Sequence, residues 1–166
     1  MAAGRGEPPM NLAHLTYEQL ELALRDEPDE QLIEMLDERS VKIGDTASSI
    51  LSRRGKHQLL LELALKGEFR TRNGKIRAMN TLGLQGRKLP ASLDVYLKFL
   101  CDRNAEVAGN ALFFIVLWND KSQINAVRSC QNTALSEKID QAIAALEAGD
   151  YRIYSPYFWD NTNIWS

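Results

Sequence analysis

The chain has 166 residues, of which 45% are hydrophobic and 25% are charged, a composition typical of folded globular proteins and not of disordered ones. Its formal net charge of -2 argues against a protein whose whole surface binds nucleic acid. The longest apolar run covers residues 111–118, far short of the roughly 20 residues of a membrane helix. The N-terminus carries no apolar segment of signal-peptide length. We therefore expect a cytoplasmic protein with no membrane partner.

The chain begins with a polar segment and then becomes periodic. Residues 1–11 contain two glycines and two prolines, and we expect them to form a disordered leader before a single domain over residues 12–150. Thr16 and Gln19 have the spacing of a capping box, which predicts a helix that ends before Pro28. A second helix is predicted from about Asp29 to Arg39, with its apolar residues on one side.

Three segments that begin near Ser40, Thr71 and Asn104 share one pattern. Each contains an alanine and, eight residues later, a residue that tolerates the left-handed conformation at a helix end. The alanines are Ala47, Ala78 and Ala111, and the stops are Gly55, Gly86 and Asn119. A second helix is predicted after each stop. One such hairpin is too small to bury its own apolar face, so the pattern favours stacked hairpins. The alternative is an irregular helical bundle in which the matches are accidental.

The C-terminal part differs from the repeats. A ninth helix is predicted from about Ala134 to Ala148, with Gly149 as its stop. Residues 151–166 contain six of the 13 aromatic residues of the chain, and we expect an irregular aromatic tail packed on the domain. One interpretation is that the tail covers the bare apolar face of the last repeat. The other is that its aromatic side chains bind a partner; these are Tyr157, Phe158, Trp159 and Trp165.

Charge is distributed unevenly along the chain. Residues 1–52 have a net charge of -7, residues 53–88 of +8 and residues 89–166 of -3. The positive segment supplies a candidate partner-binding set that we call the basic ridge: Arg53, Arg54, Lys56, Arg72, Lys75, Arg77, Arg87 and Lys88. It would attract an acidic protein surface or a phosphate backbone. The alternative is a solvated face that the acidic first repeat partly neutralises. A candidate set at the acidic end consists of Glu34, Asp37 and Glu38.

Motifs that carry chemistry are missing from the sequence. No Cys-x-x-Cys or His-x-x-x-His spacing predicts a zinc site, no Gly-x-Ser-x-Gly elbow predicts a nucleophile, and no glycine-rich loop predicts phosphate binding. Cys101 and Cys130 are expected to be buried structural thiols. We therefore expect no catalytic residue, no cofactor and no metal.

Residues 77–83 (RAMNTLG), 93–97 (LDVYL) and 102–107 (DRNAEV) together resemble a HEAT-type helical repeat. In that family, a first helix with an alanine and a leucine is followed by a second helix and a short acidic turn. The resemblance extends over about residues 40–130. It implies an all-α fold, a right-handed α-solenoid of about four helical hairpins. It also implies scaffold or adaptor functions, and some compact all-helical proteins of this type are bacterial immunity proteins.

Two functions remain as hypotheses. The first is a non-catalytic protein–protein interaction module, an adaptor or inhibitor, that docks a partner protein on one row of helices. In that case a basic partner would meet the acidic end. The alternative is a nucleic-acid-binding protein that uses residues 53–88, in line with a resemblance to HEAT-like DNA glycosylases. Aromatic residues do not alternate with the basic ones, which argues against stacking on nucleic-acid bases.

Overall fold

The computed structural model of the chain describes residues 12–155, and over this range the fold is all-α, as predicted. Nine α-helices follow one another in the described part, joined by short turns, three of which contain a 3-10 helix; two further 3-10 helices precede the first α-helix and follow the last. The helices are α1 (Tyr17–Leu24), α2 (Asp29–Met35), α3 (Val41–Arg53), α4 (His57–Lys66), α5 (Arg72–Gly83), α6 (Ser92–Leu100), α7 (Ala105–Trp118), α8 (Ile124–Arg128) and α9 (Ser136–Ala148). No helix among them is long and apolar enough to cross a membrane.

Local signals in the sequence set the helix ends. The backbone N–H of Gln19 donates to Thr16 Oγ1 (3.3 Å), and the N–H of Thr16 donates to Gln19 Oε1 (2.9 Å), so the predicted capping box is confirmed. Gly55, Gly86 and Asn119 all have positive φ, at 69°, 51° and 53°. The three predicted stops therefore adopt the left-handed conformation that glycine and asparagine tolerate.

Three helices of the repeat region begin with the same kind of cap. The side-chain oxygens of Ser40, Thr71 and Asn104 each accept a hydrogen bond from the backbone N–H three residues further on, at the starts of α3, α5 and α7. Each bond satisfies one of the amides that a helix leaves free in its first turn. The repeat in the sequence thus corresponds to a repeat in local structure.

Packing between helices follows a regular order. Helix α1 packs on α3, α3 on α5, α5 on α7 and α7 on α9, and we call these five helices the odd row. Each even-numbered helix packs on the odd helix that follows it. The three alanines of the repeat pattern, Ala47, Ala78 and Ala111, are all fully buried. Small side chains at these points allow neighbouring helices to approach closely.

Aromatic packing holds α6 against α7. The Tyr96 ring stacks on Phe114, with centroids 4.9 Å apart and planes inclined by 18°. Gly83, at the end of α5, touches the same cluster, because a Cβ at this position would collide with the Phe114 ring. Burial raises the pKa of Tyr96 above its usual value. One continuous hydrophobic core runs through the described helices.

Candidate interaction surfaces

The first part of the basic ridge pairs with the acidic helices that precede it. Arg54 and Lys56 each lie 2.7 Å from a carboxylate oxygen of Asp29, and Arg53 pairs with Glu21. Hydrogen bonds from Lys56, and then from Arg54, hold the pKa of Asp29 below its usual value. Two carboxylates therefore compensate most of the charge of these three cations within the chain.

The middle of the basic ridge connects α5 to the start of α7. The Arg72 guanidinium lies 2.7 Å from Glu106, and the Lys75 ammonium lies 2.6 Å from Asp102. Burial alone would raise the pKa of Asp102, but hydrogen bonds from Lys75 and from the Asn104 N–H outweigh it and lower that pKa. Lys75 and Asp102 are both well shielded, so this pair contributes to the packing of α5 on the α6–α7 turn.

Arg77 lies inside the fold. Its side chain is only 8% exposed. The guanidinium donates hydrogen bonds to the carbonyls of Leu36 (2.7 Å), Glu38 (2.7 Å) and Ser40 (3.1 Å). Its Nε donates to Asp45 Oδ1 (3.1 Å). Arg77 therefore joins α5 to the turn between α2 and α3 and is not accessible to a partner.

The last part of the basic ridge lies in the turn after α5. Arg87 donates a hydrogen bond to the carbonyl of Trp118, at the end of α7. Lys88 is exposed. Seven of the eight ridge residues thus have an ion pair or hydrogen bond inside the described part of the chain. These contacts link helices and turns that are distant from one another in the sequence.

Of the three candidate residues at the acidic end, one bonds inside the fold and two are exposed. Asp37 Oδ1 accepts hydrogen bonds from the Thr71 N–H (3.0 Å) and hydroxyl (2.6 Å), so it helps to fix the start of α5. Glu34 and Glu38 have exposed side chains. Only these two of the three predicted carboxylates are available on the surface.

The predicted aromatic contacts Tyr157, Phe158, Trp159 and Trp165 lie outside the described residues. The part of the tail that is described packs on the domain: Tyr151 and Tyr154 are half-buried against the hydrophobic core. Burial raises the pKa of Tyr154 to about 12.

One groove follows the surface of the odd row. It consists of two hollows, of about 320 and 450 Å³, that share Asn80 of α5. Short side chains line much of it, and it ends beside Tyr154; among the lining residues are Ser48, Ser49, Leu84, Gly109, Asn110 and Phe113. Leu84 lies at the rim of the groove and is 62% exposed. We call this feature the odd-row groove.

A second groove runs along the loops that precede the odd helices. Two hollows of about 500 Å³ each share Cys101, Asp102 and Arg103, and we call them the loop-edge groove. Cys101 is exposed, and Cys130 is half-buried with its thiol 3.4 Å from the Leu100 carbonyl. The prediction that both thiols are buried is therefore wrong. It failed because Cys101 lies just beyond the end of α6, outside the apolar side of the helix.

No family model, curated protein or solved structure matches the chain. Within residues 12–155, no three side chains of His, Cys, Asp or Glu gather in a way that could hold a metal ion.

Proposed function

We propose that the chain is a non-catalytic protein-binding module of the cytoplasm, an adaptor or inhibitor. In this proposal the nine helices form a HEAT-like, right-handed solenoid of about four hairpins. The observation that supports it best is the order of packing, in which each odd helix contacts the next odd helix. A stack of like hairpins produces this order because each hairpin contacts mainly its neighbours.

The odd-row groove is the docking site in this proposal. Regular helices form its walls, so little conformational entropy is lost when a partner binds. The short side chains of Ser48, Ser49 and Asn80 leave space for side chains of the partner. Leu84 offers an apolar contact at the rim, and burying its exposed part on binding would contribute about 1–2 kcal/mol.

The test is photo-crosslinking in the native cell. A photoreactive residue replaces Asn80 in the groove, and in a second variant it replaces Asp94, which is exposed on α6. We expect one protein to be crosslinked in stoichiometric amounts from position 80 and not from position 94. Crosslinking from both positions alike would contradict docking in the groove.

A matched pair of leucine substitutions then tests the contact itself. Leu84→Asp should weaken the purified complex at least tenfold, because it places a carboxylate at an apolar contact. Leu65→Asp alters a leucine that is also exposed but lies on α4, and it should leave the affinity unchanged. Equal affinities for the two variants in calorimetric titration would refute the assignment of this surface.

A further inference from the structure

Three arginines occupy equivalent positions along one edge of the odd row. Each comes immediately before the residue that caps an odd helix; the arginines are Arg39, Arg70 and Arg103, and the caps are Ser40, Thr71 and Asn104. Because α3, α5 and α7 pack side by side, the same loop position recurs from one helix to the next. We call these residues the arginine series.

The arginine series is free, in contrast to the basic ridge. All three side chains are exposed, and none has a carboxylate partner within residues 12–155. Arg70 and Arg103 line the same hollow of the loop-edge groove. Two further cations in that hollow are already engaged, Lys75 with Asp102 and Lys98 with the carbonyls at the end of α4. Arg70 and Arg103 are therefore the groups that a ligand would meet there.

We propose that the arginine series binds an acidic linear segment of a partner protein. A guanidinium pairs with a carboxylate through two parallel hydrogen bonds, a geometry that lysine lacks. Packed helices lie about 8–10 Å apart, and a polyproline II segment has three residues per turn and advances about 3.1 Å per residue. Carboxylates at every third position of such a segment lie on one side of it, about 9 Å apart, and would therefore face successive arginines.

The surroundings favour a peptide over a nucleic acid. Phe69 and Phe99 line the groove but are only 3% and 4% exposed, so their rings offer no surface for bases to stack on. Glu38 and Glu68 are exposed in the same loops and would repel an unbroken row of phosphates. This site lies apart from the odd-row groove and goes beyond the function proposed above.

The experiment measures the binding of a dye-labelled peptide to the full chain by fluorescence anisotropy in 20 mM NaCl. The peptide repeats Glu-Gly-Ser four times, and its Gln-Gly-Ser counterpart and a 12-nucleotide oligo(dT) serve as comparison probes. The double variant Arg70→Glu/Arg103→Glu reverses two members of the series. Its matched control, Lys88→Glu/Lys121→Glu, changes the net charge equally at two exposed lysines outside the groove.

We expect the Glu peptide to bind the unaltered chain and the lysine control with the same Kd, and the arginine variant at least tenfold more weakly. Arg70→Gln/Arg103→Gln should show a smaller loss in the same direction, and Arg39→Glu alone should also weaken binding. The proposal is overturned if the Glu peptide does not bind the unaltered chain, if both charge reversals weaken it equally, or if oligo(dT) binds more tightly.

A second readout locates the bound peptide. Cys101 is exposed and lines the groove, so a bound peptide should slow its alkylation, followed by mass spectrometry of the Cys101 fragment. The Gln peptide should give no protection. An alkylation rate at Cys101 that the saturating Glu peptide leaves unchanged would place the peptide elsewhere and overturn the assignment.

Discussion

Replacing Arg77 with methionine should destabilise the fold strongly, although arginine is usually a surface residue. Methionine keeps most of the length and apolar volume but removes every donor. The carbonyl of Leu36 then loses a buried hydrogen bond, which costs about 1–3 kcal/mol. The carbonyls of Glu38 and Ser40 are part-buried and regain some hydration, so we assign them about 0.5–1 kcal/mol each. The expected loss is about 3 kcal/mol of the free energy of unfolding.

Urea denaturation followed by far-UV circular dichroism measures this loss. With a slope of about 2 kcal/mol per molar urea, the midpoint should fall by about 1.5 M. Arg72→Met is the control, because Arg72 lies on the same helix and its side chain is 51% exposed in an ion pair with Glu106. That variant should stay within about 0.5 kcal/mol of the unaltered chain. Equal midpoints for the two variants would refute the structural role of Arg77.

Three further predictions concern stability. Gly83→Ala should lower the free energy of unfolding by about 1–3 kcal/mol, because the new methyl group collides with Phe114. Gly109→Ala should raise it by about 0.5–1 kcal/mol, since its Cβ would lie 3.5 Å from a methyl group of Leu135 and alanine favours the helix; thermal melts of the pair should move in opposite directions. Asp29→Asn should cost about 1 kcal/mol at pH 7. The folded-state pKa of Asp29 is depressed, so this difference should be complete above about pH 5 and should shrink as the pH falls through that pKa; a constant difference in urea titrations from pH 7 to 3 would contradict it.

The internal use of the basic ridge explains its concentration in one part of the sequence. Arg53, Arg54 and Lys56 face carboxylates that lie more than 24 residues earlier in the chain. Arg77 bonds the carbonyl of Leu36, 41 residues away. The acidic segment 1–52 and the basic segment 53–88 therefore attract each other where α1 and α2 pack on α3, and this attraction favours the correct packing of these helices.

The arginine series shows what sequence analysis missed and why. Its signal is present in the sequence, since Arg39, Arg70 and Arg103 recur just before the three capping residues. Counting the charge by segment conceals this pattern, because Arg39 lies in the acidic segment 1–52 and Arg103 lies in the segment 89–166. The three arginines become comparable only when the starts of α3, α5 and α7 are aligned. Their exposure and their lack of a carboxylate partner within residues 12–155 then distinguish them from the basic-ridge cations that bond to other parts of the described chain.

The sequence by itself determined most of the helices and several of their ends, although α2 ends at Met35 and not near Arg39. Thr16, Gly55, Gly86 and Asn119 act on backbone groups within a few residues, so their effect is readable from the order of amino acids. The tertiary structure decided which charges remain free, because the partner of each cation comes from a distant helix. Arg72 and Arg70 are two residues apart, yet one is paired with Glu106 and the other is open to solvent. That difference depends on how the helices pack, and no local pattern encodes it.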